Sequence, residues 1–480
     1  MVRLQRFGAV MFVALLVFLA PSMTEAAERI KGKNRYETAV EVSKKGWTTA
    51  DTVVLATGMD FPDALAVSPL AYELDAPILL TTPKELYSAT QQEISRLQAK
   101  NIIILGGENA VTKNVESQLK TLGISSIRRI GGKDRYDTST NIAREYLKVV
   151  NKSYYSPFII ASGTSFADAL SASSFAIRDK APILLTTKKK LPSSVNKLLN
   201  EPKLSQGRLI GGTEVIDYSV FEEVNKKHYT IRVSGNDRYH TAYRLNQHYF
   251  DSLELPKNLA VVVRGDHWPD ALTSSVLAAK QNAWFLTVKP NSLPYFNVNV
   301  IRRFNISNFQ IIGGTSAVSN KVVTELSKKR ETTFLTKDNI IDFTETFSKT
   351  KTVTFDNITI KVGASASSQQ SALKKGKKVV TEYGTTYDFP DGTTVFEDNG
   401  KISSVALSRE RIYLTPNEVD ILHTKNNLNF KWEPGVFQAG QHIIDSNYQI
   451  SYPISLYYGW HRNPIQESEI YMVSFRYTGK

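Results

Sequence analysis

Four short elements recur in the same order three times, 100–105 residues apart, in a chain of 480 residues. Gly32-Lys-Asn-Arg-Tyr-Glu-Thr-Ala39 returns as Gly132-Lys-Asp-Arg-Tyr-Asp-Thr-Ser139 and as Gly235-Asn-Asp-Arg-Tyr-His-Thr-Ala242. Asp63-Ala-Leu-Ala66 returns as Asp168-Ala-Leu-Ser171 and Asp270-Ala-Leu-Thr273. Ala76-Pro-Ile-Leu-Leu-Thr81 returns intact as Ala181-Pro-Ile-Leu-Leu-Thr186, then in altered form as Asn282-Ala-Trp-Phe-Leu-Thr287. Ile104-Leu-Gly-Gly107 returns as Leu209-Ile-Gly-Gly212 and Ile311-Ile-Gly-Gly314. A period near 100 is too long for a solenoid repeat. Each copy is a small domain or one third of a fused trimer.

The periodicity inside one copy sets the fold class. Asn34, Asp134 and Asp237 stand at N-cap positions before helical stretches such as Arg35–Lys45. An apolar run, Thr52–Ala56, ends at Thr57-Gly58, and Asp63 opens a second helix over Ala64–Leu74. Pro77–Leu80 and Ile102–Leu105 are further apolar runs, separated by an amphipathic stretch, Ser88–Lys100. Continuous apolar runs alternating with helices imply a parallel sheet covered on both faces. Each copy is therefore an α/β, βαβαβ unit of the Rossmann or flavodoxin kind. Its ligand edge is the carboxyl end of the strands.

Taken together, the Arg-Tyr-x-Thr, Asp-Ala-Leu, Pro-Ile-Leu-Leu-Thr and Ile-x-Gly-Gly elements resemble the cell wall binding repeat 2 family. The resemblance covers about residues 28–328. It is similar to exported clostridial cell-wall and S-layer proteins and to a bacillar modifier of a wall amidase. The resemblance implies three tandem copies packed as a pseudo-threefold unit, holding the protein noncovalently to an anionic wall polymer. It implicates the Pro-Ile-Leu-Leu motif in that contact, here Pro77, Ile78, Leu79, Leu80, Pro182, Ile183, Leu184 and Leu185. The third copy departs, with Trp284, Phe285 and Leu286 in a motif one residue shorter, so two sites are expected rather than three. The first copy has Lys31-Gly32 where the second has Gly131-Gly132.

Charge points the same way. Residues 28–328 hold 39 Lys plus Arg against 28 Asp plus Glu, a net +11 of the chain's +13. A basic exported domain meets teichoic acids, acidic polysaccharides or anionic lipids, and export disfavours nucleic acid. Arg35, Arg135 and Arg238 are candidate phosphate or carboxylate ligands; the alternative is a structural pair with Asp63, Asp168 or Asp270 within each unit. Those aspartates read as helix N-caps rather than catalytic carboxylates, because no second repeating acid accompanies them. Lys188, Lys189 and Lys190 follow the second Pro-Ile-Leu-Leu-Thr run and are either a polymer contact or an exposed basic turn.

Residues 1–27 read as a secretory signal peptide: Arg3 and Arg6, then fourteen apolar residues, Phe7–Ala20, then a small-x-small site ending at Ala26. Fourteen is short of the ~20 a membrane span needs. The expected divisions are repeats at 28–125, 126–228 and 229–328, and a C-terminal domain at 329–480. The C-terminal domain is rich in aromatics and turn signals and is read as α+β or mainly β. His423, His442 and His461 lack metal-site spacing, and Tyr448, Tyr452, Tyr457, Tyr458 and Trp460 serve either sugar stacking or packing. With no cysteine, thiolate metal sites and cysteine nucleophiles are excluded. No cofactor or metal is expected. The leading reading is a non-catalytic wall-attached protein. The alternatives are a peptidoglycan-remodelling enzyme with its activity in 329–480, or a modifier partner of a wall hydrolase.

Overall fold

The computed structural model describes residues 27–408 apart from 61, 151–154, 248–257, 305, 329–334, 337–349, 356–357, 382–383 and 390–392. Beyond these it describes the strand segments 412–413, 428–434, 440–446, 454–459 and 469–476. The expected signal peptide lies outside the described residues, apart from Ala27. The chain divides into two compact units: the repeats up to Pro294 with Arg303–Ser327, and Tyr295–Arg302 with the residues from Lys328 onward.

The first copy runs β1 (Ala27–Ile30), α1 (Arg35–Gly46), β2 (Thr52–Thr57), α2 (Ser68–Glu73), β3 (Ile78–Thr81), α3 (Ser88–Arg96), β4 (Asn101–Leu105) and α4 (Lys113–Thr121). The second runs β5 (Ser126–Ile130), α5 (Arg135–Val149), β6 (Ser156–Ser162), α6 (Phe166–Arg178), β7 (Ile183–Thr186), α7 (Ser193–Leu199), β8 (Leu204–Ile210) and α8 (Tyr218–Asn225). The third runs β9 (Thr230–Val233), α9 (Arg238–Gln247), β10 (Leu259–Arg264), α10 (Trp268–Lys280), β11 (Trp284–Val288), α11 (Tyr295–Arg303), β12 (Asn308–Ile312) and α12 (Asn320–Leu326). Three four-stranded parallel sheets result, ordered β3-β2-β4-β5, β7-β6-β8-β9 and β11-β10-β12-β1.

Each sheet borrows its last strand from the next copy in the cycle. β5 begins the second copy but closes the first sheet, and β9 begins the third copy but closes the second sheet. The third sheet has no following copy to borrow from, so β1, from the start of the described chain, closes it against β12. The sequence repeat and the sheet are therefore offset by one strand, and the three copies form a closed ring.

The centre of the ring is made by α2, α6 and α10, which pack on one another. Small residues let them approach closely: Ala71, Ala172, Ala176 and Ala278 are buried here, and Ser68 Oγ lies 2.9 Å from Ser275 Oγ. Buried hydroxyls satisfy themselves on backbone carbonyls, as Ser173 Oγ does on Ala169 O at 3.1 Å. A second layer repeats the cycle: α5 packs on α2, α9 on α6, and α1 on α10. Asn34 and Asp134 cap their helices as expected, each accepting from two backbone N–H groups.

Two expectations are corrected here. The helix expected over Ala64–Leu74 is instead a 3-10 turn at Pro62–Ala64 followed by the shorter α2. The third copy is not one residue shorter. Gly58, Gly163 and Gly265 donate to Thr81, Thr186 and Val288 respectively, so Val288 takes the threonine's place and Trp284 the proline's. In the register of β10 with β11, Trp284 opposes Ala260 and Val288 opposes Arg264. Leu286-Thr287 imitates Leu80-Thr81 one position out of register.

The second unit is strand-rich. Eight antiparallel strands form one sheet in the spatial order 377–381, 384–388, 394–398, 401–408, 469–476, 454–459, 440–446 and 428–434.

Ring closure makes a specific demand on β1. No earlier copy precedes β1 in the repeat array, yet Ile30 is as buried as its counterpart Ile130. Ile30→Ala and Ile130→Ala should therefore each cost about 2–4 kcal/mol in urea unfolding. A near-neutral Ile30→Ala would mean that β1 does not close the ring.

Candidate functional site

The Pro-Ile-Leu-Leu motifs form the edge strands β3 and β7, and they are fully buried. Ile78, Leu79, Leu80, Ile183, Leu184 and Leu185 are each at most 1% exposed, and Pro77 and Pro182 are buried as well. These side chains are out of reach of an external polymer, which corrects the expectation that they touch it. What they position is the turn that follows. Thr82 Oγ1 donates to Glu85 O at 2.7 Å, and Thr187 Oγ1 donates to Lys190 O at 2.8 Å. The turn after β7 thereby holds Lys188, Lys189 and Lys190 exposed at the carboxyl end of the sheet. Lys188 lies 3.8 Å from the exposed Glu214. The turn after β3 presents Lys84 in the same way.

Arg35, Arg135 and Arg238 sit at the joints between copies. Arg35 Nη1 donates to Gly58 O at 2.6 Å and Arg135 Nη1 to Gly163 O at 2.7 Å, each within its own copy, while Arg238 approaches Gly265 O at 3.4 Å. The guanidinium then faces the preceding copy. Arg35 lies over Trp268 and Arg238 over Phe166, each 5.7 Å from the ring centre. Their charges act on Asp270 and Asp168, and that of Arg135 acts on Asp63. The charge of each arginine thus acts on the aspartate of the preceding copy and not on the one in its own unit.

The aspartates are not N-caps. Asp168 and Asp270 are the third residues of α6 and α10, whose caps are Ser165 and His267, and Asp63 lies in the 3-10 turn. Each carboxylate is tucked against the first glycine of the Gly-Gly loop. Gly106, Gly211 and Gly313 have φ of +84°, +117° and +96°. A Cβ on them would meet the Asp63, Asp168 or Asp270 Oδ2 at 2.4, 3.0 or 2.5 Å. Positive φ and the carboxylate together require glycine. Burial pushes all three carboxyls up, that of Asp270 to about 6, against the opposing charges of the arginines.

A second set of arginines escaped the motif reading. Arg29 Nη1 donates to Gly313 O, Arg129 Nη1 to Gly106 O and Arg232 Nη1 to Gly211 O, at 2.9, 3.0 and 2.7 Å. Each clamps the Gly-Gly loop of the sheet that its strand closes. The signal was available, because each stands six residues before Arg35, Arg135 or Arg238.

Between β2 and β4, where strand order reverses, a cleft of about 270 Å³ opens. Thr57, Met59, Asp60, Asp63, Pro83 and Asn109 line it. Such a crevice is the usual ligand position on a sheet of this type. Its chemistry differs between copies: Thr57, Met59 and Asp60 in the first, Ser162, Thr164 and Ser165 in the second, and Arg264, Asp266 and His267 in the third. Arg264 and Asp266 form an ion pair.

Among the described residues no group of three or more His, Asp or Glu could hold a metal ion, and no helix is long and apolar enough to cross a membrane. His423, His461, Tyr448, Tyr452 and Trp460 lie outside the described residues. His442, Tyr457 and Tyr458 fall in strands of the second unit.

The raised carboxyls make stability depend on pH. A folded-state value above the unfolded one means that the folded chain holds the proton more tightly. The contribution is complete below about pH 4 and is lost as pH rises through the folded value. For Asp270 the rise from 3.8 to about 6 corresponds to about 3 kcal/mol. Between pH 4 and 7, Asp270→Asn should lose about 2–3 kcal/mol less stability than the wild type in urea unfolding. Parallel pH profiles would show that burial does not shift this carboxyl.

Three matches to the Cell wall binding domain 2 (CWB2) model span residues 29–116, 129–221 and 232–323. The chain is 34% identical over 316 residues to the N-acetylmuramoyl-L-alanine amidase LytC of Bacillus subtilis, covering 66% of this chain and 61% of that one. It is 34% identical over 300 residues to the Amidase enhancer of the same organism, covering 62% and 40%. It thus spans less than two thirds of either relative. Among solved structures, Cwp6 from Clostridium difficile matches with a TM-score of 0.58 at 30% identity, covering 63% of this chain and 48% of that one. Cwp8 from the same organism matches at 0.55 and 28%, covering 63% and 51%. With more than half of its length in three matched copies, this chain belongs to the cell wall binding domain 2 family.

Proposed function

We propose that this chain is an exported, non-catalytic wall-binding protein. Its repeats hold an anionic wall polymer, either a teichoic acid or an acidic secondary polysaccharide, and it displays the strand-rich unit. The observation that carries the reading is the placement of basic residues at the carboxyl ends of the sheets. Lys84 and Lys133 follow strands of the first sheet, Lys188–Lys190 follow β7, and Lys289, Lys31 and Lys33 follow strands of the third. The binding surface is these loops, with Arg35, Arg135 and Arg238 as joint-builders behind them. Individually weak contacts on one closed ring add up through effective concentration.

A second reading draws on the Amidase enhancer and amidase relatives: the chain modifies a wall hydrolase while held on the wall. Co-purification with a hydrolase whose turnover of walls changes on addition of this chain would establish it. An activity in the strand-rich unit itself would appear as wall turnover by the chain alone.

The test of the main reading is sedimentation of the mature chain with purified walls before and after extraction of the anionic polymer. Binding should vanish on extraction and fall steeply with salt. Lys188→Ala/Lys189→Ala/Lys190→Ala should weaken retention several-fold with the fold intact. Leu184→Ala should cost about 2–5 kcal/mol of stability yet leave retention of the folded protein unchanged. Retention that survives extraction would point to peptidoglycan instead and overturn the polymer reading.

A further inference from the structure

The first copy carries a groove whose full set of charged residues neither of the other two copies repeats. It has a volume of about 720 Å³ and runs along α1 and α3 beside the loop after β1. Its cations are Lys31, Lys33, Lys44 and Arg96, and its acids are Glu37, Glu41 and Glu93.

Every acid is already engaged. Glu93 has a fully buried side chain and receives Arg96 Nε at 2.7 Å, Arg96 Nη2 at 2.8 Å and Ser43 Oγ at 2.5 Å. Glu41 pairs with Lys44 at 2.8 Å. Glu37 accepts the backbone N–H of Lys33 at 3.0 Å. Lys31 and Lys33 are exposed, and neither forms an ion pair among the described residues. Arg96 is aimed by four hydrogen bonds: the two to Glu93 and two more, to Trp47 O and Thr48 O at 2.8 and 2.9 Å.

Comparison between the copies separates this groove from ordinary core architecture. The position of Glu93 is Leu198 in the second copy and Val300 in the third, both buried. Lys31 corresponds to Gly131 and Ser234, Lys33 to Lys133 and Asn236, and Arg96 to Glu201 and Arg303, so no other copy keeps all four of Lys31, Lys33, Glu93 and Arg96. A buried ion pair is weak evidence for stability, since an aliphatic residue packs there at lower cost. The first copy keeps the pair where its siblings do not, and what the pair does is orient a guanidinium beside two uncommitted lysines.

We propose that this groove is a dedicated site for a segment of linear polyanion, bearing phosphodiester or carboxylate charges, that the second and third copies lack. Lys31 and Lys33 take the anionic groups, and the Arg96–Glu93 pair is the positioning element. The inference rests on the wall-polymer reading above and gives one copy a role distinct from the others.

The experiment uses the mature full-length chain with purified walls, then with poly(glycerol phosphate) and polygalacturonate as separate soluble probes. Lys31→Ala/Lys33→Ala should weaken wall binding about 5- to 10-fold and flatten the dependence of log affinity on log salt by about two charges. The control Lys226→Ala/Lys227→Ala, which removes the same charge at the end of α8, should stay within about twofold. Glu93→Leu installs the second copy's residue. It should lower the melting temperature, because Arg96 and Ser43 lose their shared acceptor, and the protein that remains folded should bind about two- to fivefold more weakly. The soluble probe on which the loss reappears identifies the source of the anion. Equal losses in both lysine pairs, or wild-type binding by both Lys31→Ala/Lys33→Ala and Glu93→Leu, would overturn the site. A wild-type chain that does not sediment with walls at all fails the wall-polymer reading instead.

Discussion

The structure depends on one contact that has no neighbour in sequence: β1 lying parallel to β12, with the two strands some 280 residues apart in the chain. Everything else in the ring follows from a local rule. Each copy lends its first strand to the sheet before it, sends a strand arginine into that sheet's Gly-Gly loop, and packs its first helix on the previous copy's second helix. For the second and third copies the rule is satisfied by chain continuity. For the first it is satisfied only if the start of the first copy returns to the last strand of the third. Arg29 on Gly313 O, Arg35 over Trp268 and the backbone bond from Gly313 to Ile30 O all belong to that return. Ring closure makes three small sheets, each with few strands, into one cooperative core.

That architecture decides which parts of the repeated motifs can meet a ligand. The apolar motif segments are spent on edge strands that are covered on both faces, and the paired Arg and Asp are spent on joints. What remains accessible is the set of loops at the carboxyl ends, shaped by the threonine hydroxyls that follow each edge strand. Repetition in the sequence thus marks the scaffold more strongly than the binding surface. The scaffold must be the same three times for the ring to close, whereas the loops are under no such geometric demand.

The same distinction explains what could be read from residues alone. The βαβ alternation, the caps at Asn34 and Asp134 and the strand-rich second unit were legible because each is a local pattern. The role of Asp63, Asp168 and Asp270 was not, because their partner is a glycine about 43 residues away whose positive φ appears only in three dimensions. The register of β11 is hidden in the sequence because Leu286-Thr287 imitates Leu80-Thr81. The backbone bond from Gly265 to Val288 shows which residue ends the strand, and it aligns the copies by geometry rather than by letters. The clamping arginines were visible at a fixed offset but carried no meaning until β5, β9 and β1 were seen to belong to the preceding sheets.

The departures from symmetry then become the informative residues. Where the three copies agree, closure of the ring is a sufficient explanation. Where they disagree at a buried position, packing alone does not choose a carboxylate over leucine or valine, because desolvating Glu93 costs free energy that Leu198 and Val300 do not incur. A ring built from duplicated parts is free to specialise one copy so long as its joints survive. Glu93 and Arg96 both lie on α3, which takes no part in the Arg–Asp joints, so the first copy can carry a chemistry of its own without disturbing the closure on which all three depend.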